Sequence, residues 1–367
     1  MDADETPRGE RVLISGNEAA GEAAIRAGCR FYAGYPITPQ NKLTAFMADQ
    51  LPRRGGTFVQ AESELAAINM LYGASAGGAR CMTSSSSPGI SLKQEGISYL
   101  AGSELPAVII NVQRGGPGLG NIAPAQGDYY QATRGGGHGD YRTIVLAPAG
   151  VQEFADLTYL AFDLADRCRI PVLVLSDGMI GQMMESVTFD HLPAPQPAPR
   201  PWALTGETGR PRNLVRSFHA DVEDMAEFHR RFLATHEQIR AGEVRWELSG
   251  PADADVLLVA YGTSARICRE VVEHPPEYIP FSVALLRPIT LWPFPTQALA
   301  EQAAQVDGML VVEMSAGQMV DDVRLAVEGA CRVELLPVLG GKVPEAAQVA
   351  ARLRELFAPA QEGRKAI

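Results

Sequence analysis

Phe31-Tyr32-Ala33-Gly34-Tyr35-Pro36-Ile37-Thr38-Pro39 decides how the chain is read: an apolar strand-like run, Phe31–Gly34, ends at Tyr35 in a proline-locked turn. Thr57–Gln60 is a second short run, followed by Glu62-Ser63-Glu64 and a helix through Ala76. Ala107–Val112 is the clearest buried strand, and Arg114-Gly115-Gly116-Pro117-Gly118 follows it. Arg11–Ser15, Arg80–Ser84, Thr143–Ala147 and Pro171–Ser176 repeat the strand signal. Helices are expected over Glu18–Arg26, capped by Asn17, over Val151–Asp166, and from Pro88-Gly89 onward. Repeated units of this kind imply an α/β fold with a mainly parallel sheet under helices. The loops after the strands then form the binding crevice. A hydroxyl from Thr38, a carboxylate and the Arg114 guanidinium would meet there, a set suited to a small anionic carbonyl compound beside an organic cofactor.

At 367 residues the chain exceeds the size at which one core usually suffices, so two domains are expected. Its 46% hydrophobic and 20% charged content fits a well-buried globular protein. A net charge of −11 argues against nucleic acid and anionic membrane as partners. The five cysteines, Cys29, Cys81, Cys168, Cys268 and Cys331, are scattered and form no CxxC pair. An iron–sulfur cluster, a structural zinc and a disulfide scaffold are therefore not expected in this chain. Met1-Asp2-Ala3-Asp4-Glu5 lacks the apolar core of a signal peptide, and no apolar run reaches membrane-spanning length, so the expected location is the cytoplasm.

Residues 1–190 form the first expected domain. Prolines crowd Leu192–Pro201, and a charged helix follows over Asp221–Arg240, so residues 191–250 read as a linker with a surface or intersubunit arm. A second α/β domain, 251–367, starts with the strand Ala254–Ala260 and the turn Tyr261-Gly262-Thr263-Ser264. Ser282–Leu286 and Met309–Val312 supply further strands, with helices over Thr296–Ala304 and Val320–Ala326. Trp292-Pro293-Phe294-Pro295 is too proline-locked for a helix and is expected at a domain or subunit contact.

Gly16-Asn17-Glu18-Ala19-Ala20, Gly34-Tyr35-Pro36-Ile37-Thr38-Pro39, Glu62-Ser63-Glu64-Leu65-Ala66-Ala67 and Ser86-Ser87-Pro88-Gly89 resemble the alpha subunit of 2-oxoacid:ferredoxin oxidoreductases. So do Arg114-Gly115-Gly116-Pro117, Gly137-His138-Gly139-Asp140, Asp177-Gly178-Met179-Ile180-Gly181-Gln182, and Arg287–Pro295 with Val312–Met319 farther on. The likeness runs in order from residue 11 to 345 and is nearest to the branched-chain (2-oxoisovalerate) group. It implies a thiamine-diphosphate-binding pyrimidine-type domain followed by a transketolase C-terminal-like α/β domain. It also implies oxidative decarboxylation of a 2-oxoacid to acyl-CoA and CO2, with electrons passing to ferredoxin.

The resemblance carries roles with it. Glu64 is the expected partner of the cofactor's pyrimidine nitrogen, from its spacing to Tyr72-Gly73-Ala74, and Glu62 is the runner-up. Tyr35, Pro36 and Ile37 would line the cofactor; Thr38 and Arg114 would bind the substrate carboxylate; His138 is a candidate lining residue. The Gly-Asp-Gly motif that holds Mg²⁺ and diphosphate is missing, and Asp128, Asp140 and Asp177 are partial matches only. No metal ligand is assigned here; Mg²⁺ would sit on a beta subunit. Gamma and ferredoxin-like subunits would carry the iron–sulfur clusters, and CoA would be cosubstrate. Leu119 and Ile122 after Arg114 suit an aliphatic substrate, whereas a distal carboxylate would lack a cation. The alternatives are 2-oxoglutarate, an aryl-2-oxoacid, or a noncatalytic assembly subunit.

Plainer readings stand beside these. Tyr35-Pro36-Ile37-Thr38-Pro39 is also readable as a rigid turn, Glu62 as a solvated first-turn acid, and Arg114 as an interface ion-pair partner. Ser84–Ser87 lacks the His and Asp of a triad. Tyr261–Ser264 is either an anion site or a helix cap.

Overall fold

A computed structural model describes residues 10–358; the acidic N-terminal pentapeptide lies outside them. The chain runs through β1 (Arg11–Ser15), α1 (Gly16–Arg26), β2 (Phe31–Gly34), α2 (Asn41–Arg53), β3 (Thr57–Gln60), α3 (Glu64–Ala76), β4 (Cys81–Ser85), α4 (Pro88–Gly102) and β5 (Ala107–Gln113). It continues with α5 (Tyr129–Arg134), β6 (Ile144–Leu146), α6 (Val151–Cys168), β7 (Pro171–Asp177), α7 (Gly178–Gln182) and β8 (Met184–Thr188). After the proline-rich segment come α8 (Val222–Gly242), β9 (Trp246–Ser249), β10 (Val256–Val259), α9 (Gly262–Glu273), β11 (Val283–Pro288) and β12 (Thr290–Trp292). The last elements are α10 (Thr296–Ala303), β13 (Gly308–Glu313), α11 (Met319–Val327), β14 (Arg332–Pro337) and α12 (Ala346–Phe357).

The larger sheet has the order β12-β6-β7-β5-β4-β2-β3 and is parallel except for β12. Its central strands β5 and β7 are buried along their whole length, as continuous apolar runs require when both faces are covered. Ala19, Ala20, Ala23 and Ala24 are fully buried in α1 and let it approach α6 closely. The smaller sheet runs β14-β13-β10-β11-β9, with β9 alone antiparallel.

Several local expectations need correction. Ser15, not Asn17, caps α1, in a reciprocal capping box with Glu18; Asn17 is buried and donates to Pro39 O instead (3.0 Å). Arg11–Ser15 pairs antiparallel with β8 outside the main sheet. The helix read as a surface arm buries Phe228, Phe232, His236 and Ile239, one stripe at helical spacing, against the core.

The two units are tied together. Thr290–Trp292 from the C-terminal half forms the β12 edge of the larger sheet, and Trp246–Ser249 from the expected linker joins the smaller one. Arg287 on β11 reaches Glu153 of α6 (2.7 Å) and Glu247 of β9 (2.6 Å), with its side chain 3% exposed. Gln126 is fully buried and bonds Tyr261 O, Ser264 Oγ and Met314 N.

Candidate active site

Four adjacent parallel strands, β5-β4-β2-β3, end side by side, and each passes into one of the sequence motifs. Ser63 caps α3 by accepting from Ala66 N (3.2 Å), which sets Glu64 in the first turn. Glu64, Ala67, Ile68, Leu71 and Ser75 form the buried face of that helix, while Glu62 precedes the cap and is exposed. The structure thus separates the two carboxylates that the sequence left as alternatives.

Glu64 is 5% exposed and forms no hydrogen bond or ion pair with another described residue. Its carboxylate lies against the first turn of α4. A Cβ built on Gly89 would collide with Ser85 Oγ and stand 2.5 Å from Glu64 Oε1, so only glycine fits there. Ser85 Oγ and Ser86 Oγ beside it are buried without partners.

Arg114 follows β5 and is 7% exposed. Nη1 donates to Thr38 O (3.0 Å) and Nη2 to Leu119 O (3.1 Å), while Nε has no partner. No carboxylate compensates this guanidinium among the described residues. Its backbone N–H donates to Ser87 Oγ (3.0 Å), and Ser87 Oγ donates to Asp128 Oδ2 (2.6 Å). Asn111 bridges the same group, accepting from Ser87 N–H (3.0 Å) and donating to Asp128 Oδ2 (2.9 Å). Burial raises the Asp128 pKa, and the Ser87 and Asn111 bonds oppose that rise. Ser87, φ +21°, is held by this network at the cap of α4.

Thr38 Oγ1 accepts from Asn41 Nδ2 (3.2 Å), which leaves its own O–H free to donate outward. Behind it Gln40, fully buried, accepts from Thr44 Oγ1 (2.8 Å) and Ser84 Oγ (2.7 Å) and pins the turn to β4. Tyr35 and Pro36 are exposed along the rim and Ile37 is half-buried.

Other candidates fall elsewhere. His138 is not brought to this crevice: it is exposed and meets Tyr99 edge-on (6.5 Å), against the C-terminal half of α4. Ten residues separate Tyr99 from Gly89, roughly 15 Å along that helix. Asp177 caps α7, accepting from Met179 N–H (2.9 Å) and Ile180 N–H (3.2 Å), and reaches across to Thr263 Oγ1 (2.9 Å) at the start of α9. The chain's own carboxylate therefore occupies the α9 N-terminus. Asp140 is exposed beside His138. Among the described residues no group of three His, Cys, Asp or Glu side chains is placed to hold a metal ion. Leu119 and Ile122 are 81% and 63% exposed, so this chain alone encloses no aliphatic pocket with them.

A buried carboxyl side chain and a buried guanidinium, neither in an ion pair among the described residues, follow β3 and β5 of one parallel sheet, with β2 and β4 between them. The fold is an α/β architecture whose polar crevice lies at the ends of parallel strands, where such folds place their ligands. The thiamine diphosphate-binding model of pyruvate flavodoxin/ferredoxin oxidoreductases matches residues 22–242, and the core domain II model of pyruvate:ferredoxin oxidoreductase matches 254–349. The chain belongs to this family of oxidoreductases. It is 48% identical to ketoisovalerate oxidoreductase subunit VorB of Methanothermobacter thermautotrophicus, over 94% of this chain and 97% of the relative. It is 41% identical to 2-oxoglutarate synthase subunit KorA of Archaeoglobus fulgidus, over 91% and 96%. The structure superposes on 2-oxoglutarate:ferredoxin oxidoreductase from Magnetococcus marinus, solved with 2-oxoglutarate, coenzyme A and succinyl-CoA bound, with a TM-score of 0.83 at 25% identity. That match covers 96% of this chain and 66% of the other. A split-gene transketolase shares the fold, at 14% identity and a TM-score of 0.58 over 93% and 97% of the two chains. Among the described residues no helix is long and apolar enough to cross a membrane.

Proposed function

We propose that this chain is the alpha subunit of a ferredoxin-dependent 2-oxoacid oxidoreductase complex, and that the strand ends of β2 to β5 form one half of a shared thiamine diphosphate site. The observation that carries this reading is the pair of buried side chains Glu64 and Arg114, neither in an ion pair among the described residues. Such groups are retained where something else completes them. The donor set fits: a carboxyl for the pyrimidine nitrogen, a cradle at Gly89 that tolerates no side chain, and a cation with a free hydroxyl for a carboxylate.

When bound, thiamine diphosphate supplies the carbon nucleophile and electron sink that decarboxylation of a 2-oxoacid needs. Glu64 holds a proton against the pyrimidine nitrogen. Tyr35, Pro36 and Ile37 line the rim. Thr38 donates its hydroxyl, and Arg114, its planar fork already steadied by two backbone carbonyls, would offer a remaining Nη N–H to the substrate carboxylate. One firm contact suits a group that must leave as CO2; a full clamp would stabilise the ground state. Mg²⁺ and the diphosphate belong to a beta subunit, since Asp128 and Asp177 are engaged within this chain. Iron–sulfur clusters would be carried by gamma and ferredoxin-like subunits, with ferredoxin as electron acceptor, CoA as cosubstrate and the cytoplasm as the location.

The substrate is a branched-chain 2-oxoacid. The VorB likeness and the uncharged loop of Leu119 and Ile122 support this, and the KorA likeness keeps 2-oxoglutarate as the second reading. Ferredoxin reduction by the reconstituted complex on a panel of 2-oxoacids tests both. The highest kcat/KM should fall on 3-methyl-2-oxobutanoate; a preference for 2-oxoglutarate selects the second reading, and no turnover on any 2-oxoacid removes both.

A further inference from the structure

Lys93 is fully buried in α4, four residues after Gly89 and therefore on the same helix face. Its Nζ donates to Thr83 Oγ1 (2.5 Å) and, at longer range, to Ser84 O (3.4 Å). Thr83 Oγ1 gives its own proton to Ala33 O (2.7 Å), so toward Lys93 it can only accept. Two acceptors match the two N–H groups of a neutral amine. An ammonium carries three, and the third would be buried without a partner. Lys93 forms no ion pair among the described residues.

We propose that Lys93 is a positioning residue for Glu64: amine and carboxyl share one buried compartment at the first turns of α4, and the charge on the amine decides how readily the carboxyl keeps its proton. The proposal rests on the reading of Glu64 given above. Among titratable groups on the packed elements, Glu64 of α3 lies against the first turn of α4, whereas Tyr32 bonds Ser84 Oγ (2.6 Å), on the strand face opposite Thr83, and Cys81 points to Leu71 O (3.7 Å). Glu95 on α4 itself is exposed. Of these, Glu64 alone acts on the amine by charge. Burial brings the Lys93 pKa down to about 7, and the Glu64 carboxylate opposes the shift. Below that pH an ammonium stands beside Glu64; above it the amine is neutral. A methionine would fill the same space without an amine to desolvate.

The test compares Lys93→Met and Glu64→Gln in the reconstituted complex, reading kcat/KM from about pH 5.5 to 9. Glu64→Gln should lose at least about 10²-fold at every pH. Lys93→Met should turn over but lose the step near neutrality that the unaltered complex shows. A Lys93→Met profile that keeps that step overturns the proposal and leaves the role of Glu64 standing; Glu64→Gln turnover near the unaltered level overturns both. A readout free of turnover is NMR of the full chain labelled at the lysine side chains. One lysine should titrate near neutrality and move to lower pH in Glu64→Gln. This measurement also decides the matter should Lys93→Met fail to assemble, since a titration unmoved by Glu64→Gln overturns the proposal.

Discussion

Arg80 and Arg114 are buried arginines on neighbouring parallel strands, at opposite ends of one sheet. Arg80 precedes β4, and its Nε and Nη2 reach Asp166 (2.7 Å) and Asp163 (2.8 Å) of α6. Arg200 from the proline-rich segment shares Asp166 (2.6 Å). Arg114 follows β5 and meets only backbone carbonyls, with Nε unpartnered. One end of the sheet closes its charges on itself, and the other holds them open. The first is built for stability; the second keeps electrostatic work in reserve for something that arrives.

The sharpest break of this contrast is at Glu64, the open anion. Glu64→Gln should lower turnover of the complex by about 10²–10⁴-fold, the range for removing a proton-transfer group, without lowering the unfolding midpoint. Turnover near the unaltered level would make Glu64 a structural residue like Asp166. At the closed end, Arg80→Leu leaves Asp166 to Arg200 alone and should cost about 1–3 kcal/mol in denaturant unfolding. A loss below about 1 kcal/mol would place this network with ordinary surface pairs. Arg114→Met, by contrast, should leave stability within about 1 kcal/mol and lower kcat/KM for the 2-oxoacid roughly 10–100-fold, the worth of one charge-assisted hydrogen bond. Equal stability losses at Arg80 and Arg114 would erase the distinction. Smallest is Thr38→Val, which removes one neutral donor; KM should rise about 5-fold with kcat held. An unchanged KM would assign the hydroxyl to its Asn41 contact alone.

Much of the open end was legible before any coordinates. Phe31–Gly34, Thr57–Gln60 and Ala107–Val112 are strands because short apolar runs flanked by glycine and proline have little other option. Leu65-Ala66-Ala67-Ile68 marked Glu64 as the buried carboxylate, and Ala67 and Ile68 do share its helix face, whereas Leu65 is exposed. Lys93 was missed although a signal existed: it sits three residues after Ile90 and four before Ile97, on the apolar stripe of α4. Asn111, polar within a fully buried strand, was a similar signal. Other features leave no local trace. His138 lay in a family-like motif, yet its position depends on how the glycine loop Gly135–Gly139 packs along α4, and spacing is silent on that. Asp177 filling the α9 N-terminus joins residues 86 apart in sequence. The antiparallel β12 is three residues long, below the length at which alternation can be recognised.

That short strand has a practical consequence. Thr290–Trp292 covers the outer edge of β6, which is otherwise a bare row of peptide groups flanked by Ile144, Val145 and Leu146. A fragment truncated before residue 290 would present that edge to any other chain in solution, the situation that seeds strand-to-strand aggregation. Halves of this subunit expressed apart should therefore be recovered insoluble, and joined soluble.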